Sequence, residues 1–127
     1  MEKMSMSHED YLEAMVMLGA DEGNGVRSVD VAEKLGVSKA SVNKAVGGLR
    51  KAGYLDQAHY GAIMLTAKGL ERGRAVLGRH QMLTRFLNKA LGIPVDVAER
   101  EACQMEHAIS DESLEKWSAF IEKLDLE

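Results

Sequence analysis

The chain has 127 residues, 46% apolar and 28% charged, with a single proline and a net charge of −4. No stretch reaches the ~18 apolar residues that a membrane span needs, residues 1–10 carry charge without the apolar run of a secretory signal, and no repeat or low-complexity segment is seen. One cysteine, Cys103, excludes an intramolecular disulfide, so a reducing, cytoplasmic setting is expected.

The distribution of charge says more than its sum. Between residues 34 and 51 stand Lys34, Lys39, Lys44, Arg50 and Lys51 with no acid, which leaves −9 for the remainder. A basic face on an acidic body suits a nucleic-acid reader with a separate partner or metal region.

In chain order, His8 to Gly19 reads as an amphipathic helix, with Tyr11, Leu12, Met15, Val16 and Leu18 on helical spacing. Residues 21–25 read as a turn. Ser28 is expected to cap a short helix over 29–35. Gly36 then suits a left-handed turn, and Ser38 suits the cap of a second helix from about Lys39 to Ala52. This helix buries Val42, Val46 and Leu49 and shows Lys39, Ser41, Asn43 and Lys44, which makes a helix-turn-helix pattern. Gly53 ends it. Tyr54-Leu55 and Ile63-Met64-Leu65 read as two strands of a wing with its tip at His59-Tyr60-Gly61. Thr66 is expected to cap a long helix reaching about Leu91, Pro94 to open a helix running to Ile109, and Ser110 to cap a last one.

The predicted fold is mainly α: an N-terminal winged helix-turn-helix over residues 1–70 and a C-terminal helical dimerisation domain over 71–127. Three helices leave little core to bury the second domain's apolar stripes. A second copy is therefore expected to hide Phe86, Leu114, Trp117 and Phe120, and paired reading heads suit paired DNA half-sites.

Six side chains could hold a metal. Asp10 and Glu13, three apart, share a face of the first helix. His80 sits on the long helix. Cys103, Glu106 and His107, at i, i+3 and i+4, share a face of the next. Carboxylate, imidazole and thiolate together suit a first-row divalent metal. For each there is a plainer reading as well: helix-start acids, a surface histidine, a small buried thiol.

Three stretches resemble the diphtheria-toxin-repressor family of metal-dependent regulators: residues 9–13 (Glu-Asp-Tyr-Leu-Glu); Arg79-His80 with Leu83 and Phe86-Leu87; and Glu101 through His107 with Ile109-Ser110-Asp111. The helix-turn-helix and Leu65-Thr66 with Gly69 extend the likeness over nearly the whole chain. The Cys-x-x-Glu-His-x-x-Ser-Asp run is its most specific part.

The resemblance implies a repressor of manganese or iron homeostasis genes, with Asp10, Glu13, His80, Cys103, Glu106 and His107 as metal ligands. It also implies double-stranded operator DNA and a homodimer as partners, and the length resembles the family's short form without an additional C-terminal domain. Asp10 matches the manganese branch and Cys103 the iron branch. The expected cofactor is thus Mn²⁺ or Fe²⁺, with Co²⁺, Ni²⁺ or Zn²⁺ able to occupy the site in vitro. Metal drawn from both domains is expected to fix the reading heads about one DNA turn, roughly 34 Å, apart. Ser38, Lys39, Ser41, Asn43 and Lys44, with His59 and Tyr60 at the wing, are the candidate DNA contacts, the lysines to phosphate and Asn43 and Ser41 to base edges.

Other readings are a winged-helix regulator responding to an organic ligand or to nothing, a metal-buffering or scaffolding dimer, and a small metalloenzyme. No His-Glu-x-x-His, Gly-x-Ser-x-Gly or phosphate-loop motif is present, and an enzyme is not expected.

Overall fold

The computed structural model describes residues 6–57 and 61–124. Contacts divide the chain into residues 1–76 and 77–127, six residues beyond the boundary read from the sequence.

In the first unit, α1 (Met6–Met17) buries Tyr11, Leu12, Ala14 and Met15, the one-sided spacing that seats a helix on a core. In the turn that follows, the Asp21 carboxylate accepts the Gly23 and Asn24 backbone N–H groups at 2.7 and 2.6 Å. These bonds favour the charged form and hold its pKa below the ordinary 3.8.

α2 (Ser28–Leu35) turns Val31 inward, but its cap differs from expectation. Arg27 holds the cap position in an extended conformation, and Ser28 is the first helical residue, with no side-chain cap bond. The reason lies just upstream: Val26 pairs with distant Ile63 through bonds of 2.9 and 2.8 Å, and the Arg27 carbonyl already accepts Asp30 and Val31. The helix therefore starts one residue early.

Gly36 adopts φ +66, a left-handed conformation that a Cβ would penalise. Ser38 caps α3 (Lys39–Lys51), its hydroxyl accepting the Ser41 N–H at 3.0 Å. α3 buries Val42, Ala45, Val46 and Leu49.

β1 (Leu55–Gln57) and β2 (Ile63–Leu65) pair antiparallel, Leu55 opposite Leu65 and Gln57 opposite Ile63. Tyr54, expected in the strand, instead closes the end of α3, its N–H on the Leu49 carbonyl and its carbonyl accepting Thr66 N–H. His59 and Tyr60 lie outside the described residues. Thr66 caps α4 (Ala67–Arg85), accepting Gly69 N–H at 3.1 Å while its hydroxyl donates to the Gly53 carbonyl at 2.7 Å. All these elements close on one apolar core that includes Leu12, Met15, Val31, Val42, Leu49 and Ile63.

The second unit holds the end of α4, α5 (Val95–Ala108) and α6 (Asp111–Lys123). The long helix does not stay regular to Leu91: residues 86–90 form a wider turn, with Leu91 N–H reaching back five residues to the Phe86 carbonyl. The Asn88 amide donates to the Ile93 carbonyl at 2.8 Å, and Gly92 at φ +73 turns the chain away. Pro94 caps α5 from just outside it rather than standing in its first turn. Ser110 caps α6, accepting Ser113 N–H at 3.1 Å.

The core joins Leu83, Leu87, Ala98, Ala102 and Leu114, with Phe86 edge-on to Trp117 at 5.3 Å. Leu114 is thus buried by its own chain, a correction to its expected cover by a second copy, whereas Phe120 stays 57% exposed. Among the described residues no helix is long and apolar enough to cross a membrane.

Candidate metal centre and nucleic-acid interface

On α3 the pattern that buries Val42, Ala45, Val46 and Leu49 leaves Lys39, Ser41, Asn43 and Lys44 exposed on the opposite side. Ser38 is exposed too, but its hydroxyl is engaged, donating to the Ser41 Oγ at 2.9 Å besides capping the helix. Lys34, Arg50 and Lys51 are also exposed. The first unit thus presents a helix with cations and amide- or hydroxyl-bearing side chains on its solvent face, the chemistry that meets phosphates and base edges.

The six candidate metal ligands fall in both units. Asp10 and Glu13 stand half-buried on α1. Their neighbour Glu9, part of the 9–13 stretch but not among the candidate site residues, is 5% exposed and takes a 2.8 Å bond from Arg72 of α4. The signal for it was a third acid beside Leu12 and Val16 on one helix face. Its partner, 63 positions away, could not be read locally.

In the second unit α5 carries Cys103, Glu106 and His107 through successive turns. Glu106 is fully buried, at 0% exposure. The His80 Nδ1 lies 3.2 Å from its Oε2, and the His107 Nε2 lies 3.5 Å from its Oε1. The Cys103 thiol, half-buried, has a Glu106 carboxylate oxygen within 4.8 Å. The structure therefore brings His80, Cys103 and His107 to the Glu106 carboxylate.

Neither Glu106 oxygen accepts a hydrogen bond among the described residues. A buried carboxylate costs several kcal/mol unless cations and hydrogen bonds face it. The imidazole spacing suits a metal. Ligand atoms about 2.1 Å from one ion lie roughly 3.0–3.4 Å apart in octahedral or tetrahedral arrangement, near the 3.2 and 3.5 Å between Glu106 and the two imidazoles. Imidazole, carboxylate and thiolate are the donors a first-row divalent ion takes. By this test the residues fit a divalent transition metal. A groove of about 520 Å³, lined by Gly78, Met82, Leu114 and Ser118 among others, contains none of the four.

Comparison with known proteins agrees in both units. Residues 3–63 match the N-terminal DNA-binding domain of the iron-dependent repressors, and residues 66–126 match their metal-binding and dimerisation domain. An HTH-type transcriptional regulator of Methanocaldococcus jannaschii is 35% identical over 120 residues, 94% of this chain and 96% of that protein. The transcriptional regulator MntR of Escherichia coli is 34% identical over 115 residues, 91% of this chain and 73% of its own length. A manganese-dependent transcriptional repressor solved in complex with manganese superposes with a TM-score of 0.77 at 29% identity. That superposition covers 90% of this chain and 52% of the repressor, so the chain spans about half the length of that structure. The chain belongs to the iron-dependent repressor family, and is a metal-dependent, DNA-binding transcriptional regulator.

Proposed function

We propose that this chain is a cytoplasmic repressor, without enzymatic activity, that binds operator DNA as a homodimer when Mn²⁺ or Fe²⁺ is bound. The observation that carries the reading is the fully buried Glu106 carboxylate, which faces His80 and His107 and accepts no hydrogen bond among the described residues. His80, Cys103, Glu106 and His107 are the second unit's ligands, and Asp10 and Glu13 the first unit's contribution. When bound, the metal supplies the positive charge that this carboxylate lacks.

The likeness to MntR and to a manganese-bound repressor supports manganese. The Cys103 thiolate is the feature that favours a softer ion. Lys39 and Lys44 hold phosphates, Asn43 and Ser41 read base edges, and His59 and Tyr60 serve the wing. Phe120, with Phe86, Lys116, Trp117 and Ile121, lines an apolar groove of about 260 Å³ in the dimerisation domain, a surface suited to the second copy.

Fluorescence anisotropy of the chain's own promoter DNA, with chelator and then with Mn²⁺, anaerobic Fe²⁺, Co²⁺ or Zn²⁺, tests the proposal. Tightening by about tenfold or more with one metal, within the usual range of such coupling and abolished in Glu106→Ala, is the expected result. Equal binding with and without metal would sink it.

A further inference from the structure

We propose that Arg72, through its ion pair with Glu9, sets the rotation of α1 about its own axis and so positions Asp10 and Glu13 for the metal. The inference rests on the function proposed above and adds a residue that is itself no ligand.

Within the first unit, α1 and α4 approach almost backbone to backbone. A Cβ placed on Gly73 would lie 3.0 Å from the Leu12 carbonyl oxygen and 2.6 Å from the Val16 Cγ2. Such a contact sets the distance between two helices, and the buried Tyr11, Leu12, Ala14 and Met15 set which face α1 turns inward, but neither is directional. The adjacent Arg72 guanidinium supplies the direction, with its Nη2 2.8 Å from the Glu9 Oε2. Glu9 is 5% exposed and the Arg72 side chain 19% exposed. His8 of α1 also rests against Gly48 of α3, where a Cβ would lie 3.2 Å from its ring.

An ion pair in this place calls for a reason, since an apolar pair of the same size serves stability as well or better. Geometry provides one. At about 100° per residue, Glu13 projects about 40° and Asp10 about 100° around the helix from Glu9. Their carboxylates lie roughly 5–6 Å from the axis, so a roll of about 20° displaces them by about 2 Å. Metal–ligand distances tolerate only about 0.2 Å. A charge-assisted bond from a planar guanidinium resists that roll as an apolar contact does not.

The test is a Co²⁺ titration of the full chain, read by visible absorption, which reports affinity and coordination together. The double variant Glu9→Gln with Arg72→Met removes the pair without leaving a buried charge. It is expected to stay folded by circular dichroism, bind Co²⁺ about tenfold or more weakly, the usual cost of losing a group that orients a ligand, and show an altered spectrum. Arg72→Lys, which keeps a charged donor, is expected to recover most of the affinity. An unchanged affinity and spectrum in the folded double variant overturns the proposal. Should that variant not fold, the isosteric Glu9→Gln decides in the same way. A chain that binds no Co²⁺, or whose Co²⁺ binding ignores Glu106→Gln, overturns the proposed function and this inference with it. Binding that is lost in Glu106→Gln yet indifferent to the double variant overturns the positioning role alone.

Discussion

In the first unit the deepest side chains are apolar. Leu12, Met15, Val42, Leu49 and Ile63 are all fully buried, and the groups that suit DNA (Lys39, Ser41, Asn43 and Lys44) stand on the surface of α3. The second unit has the smaller apolar core and buries a carboxylate as well, with Glu106 at 0% exposure beside His80 and His107. One unit can therefore change its chemistry without touching its stability, whereas in the other the two are the same residue. A surface that meets a polyanion needs no interior, but a site that must discriminate among ions needs donors held rigidly and away from water.

The largest expected effect lies in the apolar interior. Leu49→Ala, at a fully buried position, is expected to cost about 2–5 kcal/mol, seen as a lower Tm and loss of DNA binding. A cost below about 1 kcal/mol would mean that this core is not close-packed.

Glu106→Leu is the sharper probe. Leucine of similar size removes a buried carboxylate that accepts no hydrogen bond among the described residues, and with it a desolvation cost. The metal-free variant is therefore expected to melt no lower than the unaltered chain, while losing its metal response. A strongly destabilised variant would show Glu106 to be a structural partner of the imidazoles, and the contrast between the units would break.

On the surface, Lys39→Ala is expected to weaken binding to all DNA sequences alike. The slope of log affinity against log salt should fall by about 0.9, one phosphate's worth, with stability changed by less than about 0.5 kcal/mol. Loss confined to one DNA sequence would contradict a phosphate role.

The smallest effect concerns Asp21. Its pKa is lowered by the Gly23 and Asn24 backbone N–H bonds, so its contribution is fully present above its ordinary 3.8 and is lost as the pH falls through the lower folded value. Asp21→Asn should flatten the acid limb of stability against pH in that window and change nothing near neutrality. A change confined to neutral pH would contradict the assignment.

Features set by a few consecutive residues were legible before the structure. The Gly36 turn, the Ser38, Thr66 and Ser110 caps and the buried face of α3 each depend on neighbours within one helical turn. Features set at long range were not. Ser28 lost its expected cap role because Val26, just upstream, is paired to distant Ile63. The irregular end of α4 answers to the Asn88–Ile93 bond and the Gly92 turn. Leu114 looked like interface because a helix stripe does not say which surface covers it.

At the site, i, i+3 and i+4 spacing on one helix brought Cys103, Glu106 and His107 into view together. The approach of His80 to Glu106, from another helix, had no local signal and came through the family resemblance. The pairing of Glu9 with Arg72, 63 positions apart, had neither.

X-ray absorption at the metal edge of the Zn²⁺-loaded chain tests the central claim, that the Glu106 carboxylate with its flanking imidazoles holds the metal. The account predicts nitrogen and oxygen neighbours at about 2.0–2.2 Å with imidazole scattering, and a sulfur at about 2.3 Å from Cys103, all lost in Glu106→Leu. An ion surrounded by oxygen alone, or a spectrum indifferent to Glu106→Leu, would contradict it.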